Sequence, residues 1–356
     1  MAQVPQHTRA KVEIDLVSDT VTRPTTAMRQ FMCDAEVGDE QMLEDPTVNA
    51  LQEMVAELLG KEAALFLPSG TMCNEIAMRV HCCPGDEMIA HRSAHPIHFE
   101  AGGPAALAGI NVRALDGPRG QYDEEVVAAA IRPDSRYMPK TRLLWVEQTS
   151  NLGGGSIWPL EKIVAVTNAA RGHGMRTHLD GARLMNAVVA SGVAASEYAK
   201  SFDSAWIDFT KGLGAPVGAA LAGSREFITQ AWRLKQQMGG AMRQAGIIAA
   251  AGIFALSNHV NRLADDHVNA HRLAEGLSRL ERVVLDPATV ETNIVIFDLN
   301  SSVSATRFLE ALLARGVRMS AMGPQTIRAV THLDVSSRQV DCALEATAQA
   351  IREATG

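Results

Sequence analysis

Two segments of the sequence carry residue types that could perform chemistry together. Thr177–Ala187 (THLDGARLMNA) places Asp180 after a short apolar run, with Arg183 three residues later. Asp208–Gly218 (DFTKGLGAPVG) places Lys211 after another such run. A lysine in a crevice is desolvated, which lowers its pKa and suits it to forming a Schiff base. A carboxylate there can hold the protonated ring nitrogen of pyridoxal 5′-phosphate (PLP), which that cofactor needs to withdraw electrons.

A third segment could bind a phosphate group. Ser69, Gly70 and Thr71 follow the apolar run Ala63–Leu67 and open a helical pattern. The backbone N–H groups and the dipole at a helix N-terminus favour anions. Taken singly, each signal has an ordinary interpretation: a helix cap, a strand-end aspartate or a solvated loop lysine. Together they match the three groups that PLP requires.

The elements that must position these residues alternate along the chain. Short apolar runs between helical patterns are typical of a layered α/β fold with a mostly parallel sheet. The predicted strands are Ala63–Leu67, Glu87–Ala90, Val112–Leu115, Leu143–Glu147, Thr177–Leu179, Ala205–Ile207 and Ala219–Leu221. The predicted helices are Asp45–Leu59, Thr71–Val80, Asp123–Ala130, Leu160–Arg171 and Ala194–Lys200. Such sheets bind ligands at the carboxyl ends of their strands, so we expect Asp180 and Lys211 to face one crevice.

The pattern changes near residue 258. An apolar stretch, Ala245–Leu256, predicts a buried helix, and a long polar helix is predicted over His259–Arg282. Two further strands (Asn293–Asp298 and Thr326–Val330) and two further helices (Ala305–Arg315 and Arg338–Ala354) follow. We therefore predict an N-terminal arm and large domain over residues 1–257 and a small α+β domain over residues 258–356.

Composition narrows the class of protein. The chain has 356 residues, 47% of them hydrophobic and 21% charged, and a formal net charge of −7. These values exclude global disorder and argue against nucleic acid as a partner. The 5 cysteines are irregularly spaced without a C-x-x-C, which favours a reducing compartment. With neither a signal-peptide pattern nor an apolar stretch of about 20 residues, we expect a soluble cytoplasmic protein without a membrane partner.

Over nearly its whole length the sequence resembles the L-threonine aldolases, PLP-dependent enzymes of fold type I with an aspartate-aminotransferase-like architecture. The matching segments are DLVSDTVTRP (Asp15–Pro24), EDPTVNALQ (Glu44–Gln52), GKEAALFLPSGTMCN (Gly60–Asn74), HPIHFEAGG (His95–Gly103), HLDGARLMNA (His178–Ala187), KGLGAPVG (Lys211–Gly218), GGAMRQAGIIAAAGIFAL (Gly239–Leu256) and VTHLDVS (Val330–Ser336). So many separate segments are far more specific than one glycine pattern. The resemblance implies a large PLP-binding sheet domain and a small C-terminal domain.

The resemblance also implies a role for each matching position. The cofactor-binding residues would be Ser69, Gly70 and Thr71 at the phosphate, His95 on the ring face, Asp180 at the ring nitrogen, Arg183 near the ring O3′ or the substrate carboxylate, and Lys211 as the amine that carries the cofactor. Ser18 and Arg328 would bind the substrate carboxylate, which the planar fork of an arginine grips in a defined orientation. Arg243 would reach the phosphate of a neighbouring subunit, which implies a homodimer or homotetramer with shared active sites.

Three positions depart from the family pattern. Ser150 stands in EQTSN where typical members have a histidine near the β-hydroxyl group of the substrate. Serine is a poor base, so His95, His98 or a bound water must take the hydroxyl proton. Met42–Leu43 replaces a common Tyr-Gly pair near the cleft, and Lys235–Gln236 replaces a common Arg-Lys pair. These changes leave the cofactor residues intact and alter the surroundings of the substrate.

The expected function is the PLP-dependent retro-aldol cleavage of a 3-hydroxy-α-amino acid. Substrates of the L-threonine or L-allo-threonine type, or β-aryl and α-methyl variants, would give glycine or an α-substituted amino acid plus an aldehyde. The same scaffold also permits β-elimination, racemisation or transamination, and a PLP-binding protein without catalysis is a further alternative. We expect no metal: His91, His95 and His98 have helix-face spacing, but Pro96 disfavours helical geometry at His95.

Overall fold

The computed structural model describes residues 11–354. The strands are β1 (Ile14–Asp15), β2 (Ala63–Leu67), β3 (Glu87–His91), β4 (Asn111–Leu115), β5 (Thr141–Glu147), β6 (Arg176–Gly181), β7 (Ser204–Asp208), β8 (Ala219–Gly223), β9 (Val283–Val284), β10 (Ile294–Leu299), β11 (Val317–Arg318), β12 (Ser320–Ala321) and β13 (Thr326–Val330). The helices are α1 (Thr26–Cys33), α2 (Pro46–Leu59), α3 (Gly70–His81), α4 (His95–His98), α5 (Glu124–Ala130), α6 (Leu160–Gly172), α7 (Leu184–Ser191), α8 (Ala195–Ala199), α9 (Arg225–Gln237), α10 (Gly246–Asn258), α11 (Leu263–Ser278), α12 (Ala305–Leu313) and α13 (Ser337–Ala354). Short 3₁₀ or π turns lie at Asp19–Val21, Glu40–Met42, Pro104–Ala108, Pro118–Gly120 and Pro287–Thr289.

The described chain divides into two compact units. The larger unit is Thr22–Ala264, and the smaller unit combines Lys11–Val21 with the chain from Asp265 onward. The division falls inside α11, whereas the sequence placed it between residues 257 and 258. The N-terminal segment also differs from the expectation, because β1 pairs in parallel with β11 and so belongs to the smaller unit. Local patterns do not reveal a pairing between segments so far apart in the chain.

The larger unit is built on a seven-stranded sheet with the order β2-β8-β7-β6-β5-β3-β4. Neighbouring strands are parallel except that β8 runs antiparallel to both β2 and β7. All seven strands predicted from the sequence are present in this sheet, which confirms the α/β class. In the register of the central strands, Glu147 lies opposite Asp180, and Asp180 lies opposite Trp206.

Capping residues set where two helices of the larger unit begin. Asp45 precedes α2, and its Oδ1 accepts a hydrogen bond from the amide of Val48 (3.0 Å), while Pro46 occupies the first turn. Ser69 precedes α3, and its Oγ accepts from the amide of Met72 (3.2 Å). The chain therefore turns from β2 into α3 at Ser69, within the predicted phosphate segment.

The predicted apolar helix is confirmed as α10, which packs against α1 and α2. Its buried face consists of glycine and alanine residues. A Cβ atom on Gly252 would lie 2.9 Å from Leu51 Cδ2, so a small residue is required for this close approach. Among the described residues, no helix is both long and apolar enough to cross a membrane.

The smaller unit contains an antiparallel sheet with the order β12-β13-β10-β9. Its apolar core includes Phe297 on β10, Phe308 on α12 and Ile327 on β13. The long polar helix predicted over His259–Arg282 is shorter in the structure, Leu263–Ser278. Arg282, which adopts a positive φ of 73°, lies beyond its end.

Candidate active site

The carboxyl-end edge of the seven-stranded sheet gathers most of the predicted cofactor residues. Ser69 and Gly70 follow β2, His95 follows β3, Asp180 lies near the end of β6, and Lys211 follows β7. The parallel strands β5, β6 and β7 are neighbours, so their ends meet at one place. The sequence placed these residues after the correct strands.

The phosphate segment has the geometry of an anion site. Gly70 begins α3, whose first-turn amides have no intrahelical acceptors apart from the cap supplied by Ser69. A Cβ atom on Gly70 would lie 2.3 Å from Cη2 of Trp206. Because that position is already occupied by the indole ring, only glycine permits this backbone path. Thr71, the next residue of the segment, is exposed.

Asp180 is a buried carboxylate with few donors. Its Oδ2 accepts from Asn74 Nδ2 (3.0 Å), and its Oδ1 accepts from the amide of Ala182 (3.1 Å). Burial and the neighbouring Glu147 raise the pKa of Asp180 to about 7. A cation beside this carboxylate would favour its ionised form, and a protonated pyridine nitrogen is such a cation.

Lys211 lies past the end of β7 with its side chain mostly buried. Its ammonium group pairs with Asp208, whose other oxygen accepts from the amide (2.7 Å) and the hydroxyl (2.6 Å) of Thr210. The carbonyl of Lys211 accepts from Thr22 Oγ1 (3.0 Å). The lysine is thus anchored through both its backbone and its amine.

His95 combines a held ring with partial access to solvent. Its amide donates to Glu147 Oε2 (2.9 Å), and its ring Nδ1 donates to Glu100 Oε1 (2.7 Å). Burial lowers the pKa of His95, but the hydrogen bond to Glu100 and the charge of Asp180 outweigh it, so the net shift is upward. The side chain is 33% exposed, and the Glu100 bond leaves Nε2 as the ring nitrogen available to another ligand.

The residues at this edge fit PLP on structural grounds. A helix N-terminus is available for a phosphate, a buried carboxylate for a ring nitrogen, and an amine on the neighbouring strand for a Schiff base. Asn74, Glu100, Glu147 and Asp208 were missed from the sequence. Asn74 lies one turn into the helix that follows the phosphate segment, and Glu147 ends a predicted strand. Their positions next to predicted site elements could therefore have indicated both residues from the sequence.

The four predicted arginine and serine sites lie in different surroundings. Arg183 is buried, and its amide donates to the carbonyl of Gln148 (3.2 Å). In the smaller unit, Arg328 donates from Nη2 to the carbonyl of Val17 (3.2 Å), beside Ser18. The pairing of β1 with β11 and of β10 with β13 belongs to the same unit, so Ser18 and Arg328 are brought together there.

Arg243 is exposed in the larger unit and donates from Nη1 to Asp39 Oδ2 (2.9 Å). This salt bridge lies within one chain. It joins the loop before α10 to the turn Glu40–Met42, where the amide of Glu40 donates to the carbonyl of Arg243 (3.0 Å).

Ser150, which replaces the family histidine, is only 2% exposed. It lines a cavity of about 10 Å³ together with His91, Ser93 and Gly120. A Cβ atom on Gly120 would lie 1.8 Å from Ser150 Oγ, so the backbone at Gly120 packs directly on the serine. The space at this position is too small for an imidazole ring.

The other two departures differ in exposure. Met42 and Leu43 are exposed, at 66% and 60%. Lys235 is fully buried, pairs with Glu40, and donates to the carbonyl of Phe66 (2.8 Å). Its amine is therefore occupied by contacts inside the larger unit.

The three histidines with helical spacing do not share one helix. His91 ends β3, whereas His95 begins α4. The expectation that helical geometry is disfavoured at His95 by Pro96 is wrong, because proline is tolerated in the first turn of a helix. Within residues 11–354, no group of three or more histidine, cysteine or acidic side chains is arranged to hold a metal ion.

The fold and the residues at this edge define a PLP-dependent enzyme of fold type I. A family model described as beta-eliminating lyase matches residues 15–300. The low specificity L-threonine aldolase of Escherichia coli K12 is 44% identical over 92% of this chain and 96% of its own. Low-specificity L-threonine aldolase 1 of Arabidopsis thaliana is 39% identical over 95% and 96%, respectively. The chain belongs to the beta-eliminating lyase family and, within it, to the L-threonine aldolases.

A solved structure shows the same fold. The threonine aldolase of Leishmania major superposes with a TM-score of 0.81 at 20% sequence identity. The match covers 95% of this chain and 99% of that chain. Both the large parallel sheet and the small antiparallel sheet are therefore part of a shared architecture.

Proposed function

We propose that the protein cleaves a 3-hydroxy-α-amino acid of the L-threonine or L-allo-threonine type into glycine and an aldehyde, using PLP. One observation carries the proposal: the buried Asp180 and the amine of Lys211 lie at the ends of adjacent parallel strands, in a member of the L-threonine aldolase family. PLP, when bound, supplies an electron sink for the bonding pair released at the substrate Cα. The protein must supply binding, orientation and proton transfer.

The roles of the cofactor residues follow from their positions. Lys211 is the amine that carries the cofactor, and Asp180 holds the ring nitrogen in its protonated form. The amides and hydroxyls of the phosphate segment bind the phosphate group; its residues are Ser69, Gly70 and Thr71. Arg183, buried at the start of α7, supplies positive charge near the ring oxygen or the substrate carboxylate.

We assign the substrate carboxylate to Ser18 and Arg328. The guanidinium group provides two parallel donors that fix a carboxylate in one orientation. A carboxylate held in one orientation would set which bond at the substrate Cα is presented to the electron sink that PLP would supply. Arg328→Lys keeps the charge and loses the fork, so we expect a raised KM and a loss of selectivity between aldol cleavage and other reactions.

We assign the removal of the β-hydroxyl proton to His95. Its Nδ1 is held by Glu100, which leaves Nε2 to accept a proton, as in other histidines oriented by a carboxylate. His98 is exposed, and its Nε2 donates to the carbonyl of Arg92 (2.8 Å), so it faces a different partner. Ser150 is buried, and a serine hydroxyl is a poor base, so we do not assign it the proton-accepting role that the family histidine would have.

The test is aldehyde release from a panel of L-threonine, L-allo-threonine, phenylserine and an α-methylserine. His95→Asn should reduce turnover by about 100-fold or more, whereas the matched variant His98→Asn should stay near the wild-type rate. Product identity separates the alternatives: glycine and aldehyde for the aldolase, a keto acid for elimination or transamination, and the D-isomer for racemisation. A protein that binds PLP but releases no aldehyde from any of these substrates would refute the proposal.

We also propose that the smallest active unit is a homodimer in which Arg243 serves the partner's phosphate site. Its support is the exposed guanidinium group and the exposed apolar side chains Met42, Leu43 and Ile247 on neighbouring segments. Mixing and refolding two inactive variants, Lys211→Ala and Arg243→Ala, should restore up to about one quarter of the activity, since one hybrid site contains neither change. No recovery in mixed dimers would refute a shared site.

We place the protein in the cytoplasm. All five cysteines are free, two of them buried, which suits a reducing compartment.

A further inference from the structure

Two glutamates are buried behind His95. Glu75 on α3 is 2% exposed, and the side chain of Glu100 is 0% exposed. Glu100 Oε1 accepts from Asn74 Nδ2 (2.6 Å) and from His95 Nδ1 (2.7 Å). Asn74 also donates to Asp180 (3.0 Å), so one amide joins the carboxyl behind the imidazole to the carboxyl at the ring-nitrogen site.

The remaining oxygens of the two glutamates lack donors. Among the described residues, none donates a hydrogen bond to Glu75 Oε1, Glu75 Oε2 or Glu100 Oε2. The Glu75 carboxyl is also confined, because a Cβ atom on Gly103 would lie 1.8 Å from its Oε1. The Glu75 and Glu100 carboxyls lie within hydrogen-bond reach of each other. A buried carboxylate without a donor is costly, and two such neighbouring charges repel one another. One proton between them removes both penalties, since a protonated carboxyl can donate to its ionised neighbour.

We propose that Glu75 and Glu100 share one proton, and that this acid pair is a positioning unit that holds His95 with Nδ1 protonated and Nε2 available for proton transfer. In this arrangement the proton resides on Glu75, which donates to Glu100 Oε2. Glu100 then remains ionised, with Oε1 bound to His95 and Asn74. The assignment of a base to His95 rests on the proposed function, whereas the shared proton does not.

The surrounding charges are consistent with a proton on Glu75 and not on its neighbours. Burial and the adjacent Glu100 raise the pKa of Glu75 to about 8. Glu147 on β5 already accepts hydrogen bonds from two amides, those of His95 (2.9 Å) and Asn151 (2.7 Å). The other titratable groups in this region are Asp180 on β6, His95 on α4 and the buried thiol of Cys73 on α3.

Loss of the shared proton should therefore be visible in the alkaline range. Above about pH 8 the pair would carry two negative charges, which would raise the pKa of His95 further and leave Glu100 Oε2 without its donor. Glu75→Gln keeps a donor for Glu100 but cannot titrate. Glu75→Leu removes the donor and keeps similar bulk.

The first test is infrared spectroscopy of the holoenzyme with ¹³C-labelled glutamate carboxyls. At pH 7 we expect a band of a protonated carboxylic acid that disappears with a midpoint near pH 8 and is absent from Glu75→Gln. Glu87→Gln is the matched control, because Glu87 is also buried but accepts a charged hydrogen bond from Arg132 (2.9 Å), so its removal should leave the band unchanged. A wild-type protein without the band, or a band that persists in Glu75→Gln, would overturn the shared proton.

The second test separates positioning from mere packing. Glu75→Gln should retain turnover at pH 7 and lose the alkaline change in the pH profile of kcat. Glu75→Leu should lower kcat by about tenfold with little change in KM, as expected for a lost hydrogen bond to a charged group. ¹⁵N NMR of labelled histidine should show Nδ1 protonated in the wild type and a mixed tautomer in Glu75→Leu. If the tautomer and pH profile of Glu75→Leu match the wild type, the positioning role is refuted.

The two proposals fail in distinguishable ways. If the wild-type protein shows the infrared band but releases no aldehyde, the shared proton is supported and the proposed aldolase function is refuted. If the wild-type protein releases aldehyde but shows no such band, the aldolase function is supported and the shared proton is refuted.

Discussion

Replacing Asp180 with asparagine should make the cofactor-free protein more stable at alkaline pH while it disables the active site. The pKa of Asp180 is raised from 3.8 to about 7 by burial and by Glu147. The folded state therefore holds this proton more tightly than the unfolded state, and the free energy of unfolding falls as the pH rises from about 4 to 7. At about 1.4 kcal/mol per pKa unit, the loss is about 4 kcal/mol above pH 7. Most of it, roughly 2–3 kcal/mol, lies between pH 5 and pH 8.

Asparagine cannot ionise, so Asp180→Asn removes this pH dependence. It also loses one acceptor for the donors Asn74 and Ala182, at a cost of about 1 kcal/mol that is the same at every pH. We therefore expect the difference in unfolding free energy between variant and wild type to shift by roughly 2–3 kcal/mol in favour of the variant from pH 5 to pH 8. With PLP bound, the same variant should lose aldehyde release by about 100-fold or more, because its side chain cannot stabilise a protonated ring nitrogen.

The assay is urea unfolding of the cofactor-free protein at several pH values, followed by circular dichroism and tryptophan fluorescence. Asp203→Asn is the control. Burial raises the pKa of Asp203, but hydrogen bonds from Thr177 outweigh it and the net shift is downward. Its contribution is lost only as the pH falls below its ordinary value, so its variant should differ from the wild type by a constant amount between pH 5 and pH 8. If the free energy of unfolding of wild type and of Asp180→Asn changed with pH in parallel over this range, the raised pKa of the buried Asp180 carboxyl would be refuted.

Three further predictions concern single positions. Lys211→Ala should abolish the visible absorbance of the cofactor–lysine adduct and all turnover, which a spectrum of the purified protein checks; retained absorbance would identify another amine. Gly70→Ala should weaken PLP binding at least about tenfold and lower stability by about 1–3 kcal/mol, since the added Cβ would meet Trp206, and cofactor titration with thermal unfolding measures both. Ser150→His should lower stability by a similar amount without raising aldehyde release, because Gly120 closes the space; a gain in activity would contradict the buried position of Ser150.

Much of the candidate site could be predicted because it depends on residues next to strand ends. The turn from β2 into α3 needs Ser69 as a cap and Gly70 where the backbone meets an indole ring. Asp180 and Lys211 each follow a short apolar run. Because the carboxyl ends of parallel strands meet at one edge of the sheet, where such sheets bind ligands, both residues were expected there. These signals are local, so the sequence contains them.

The residues that were missed depend on contacts between distant segments. Glu100 becomes important because its carboxyl meets His95, Asn74 and Glu75 in a region closed to water, and no spacing rule indicates such a group. Lys235 was interpreted as one of the changes that alter the surroundings of the substrate, but tertiary packing buries it against Glu40. The pairing of β1 with β11 likewise depends on tertiary structure, because Asp15 and Arg318 are 303 residues apart in the chain.

The sequence by itself determined the α/β class, the order of the strands along the chain and the family, because these follow from periodicity, caps and motifs. Only the tertiary structure decided the electrostatics of the site. The raised pKa values of Asp180 and Glu75 arise from burial and from charges that distant segments bring together. Dehydration and proximity are properties of the folded chain, so no residue type or spacing could have shown them.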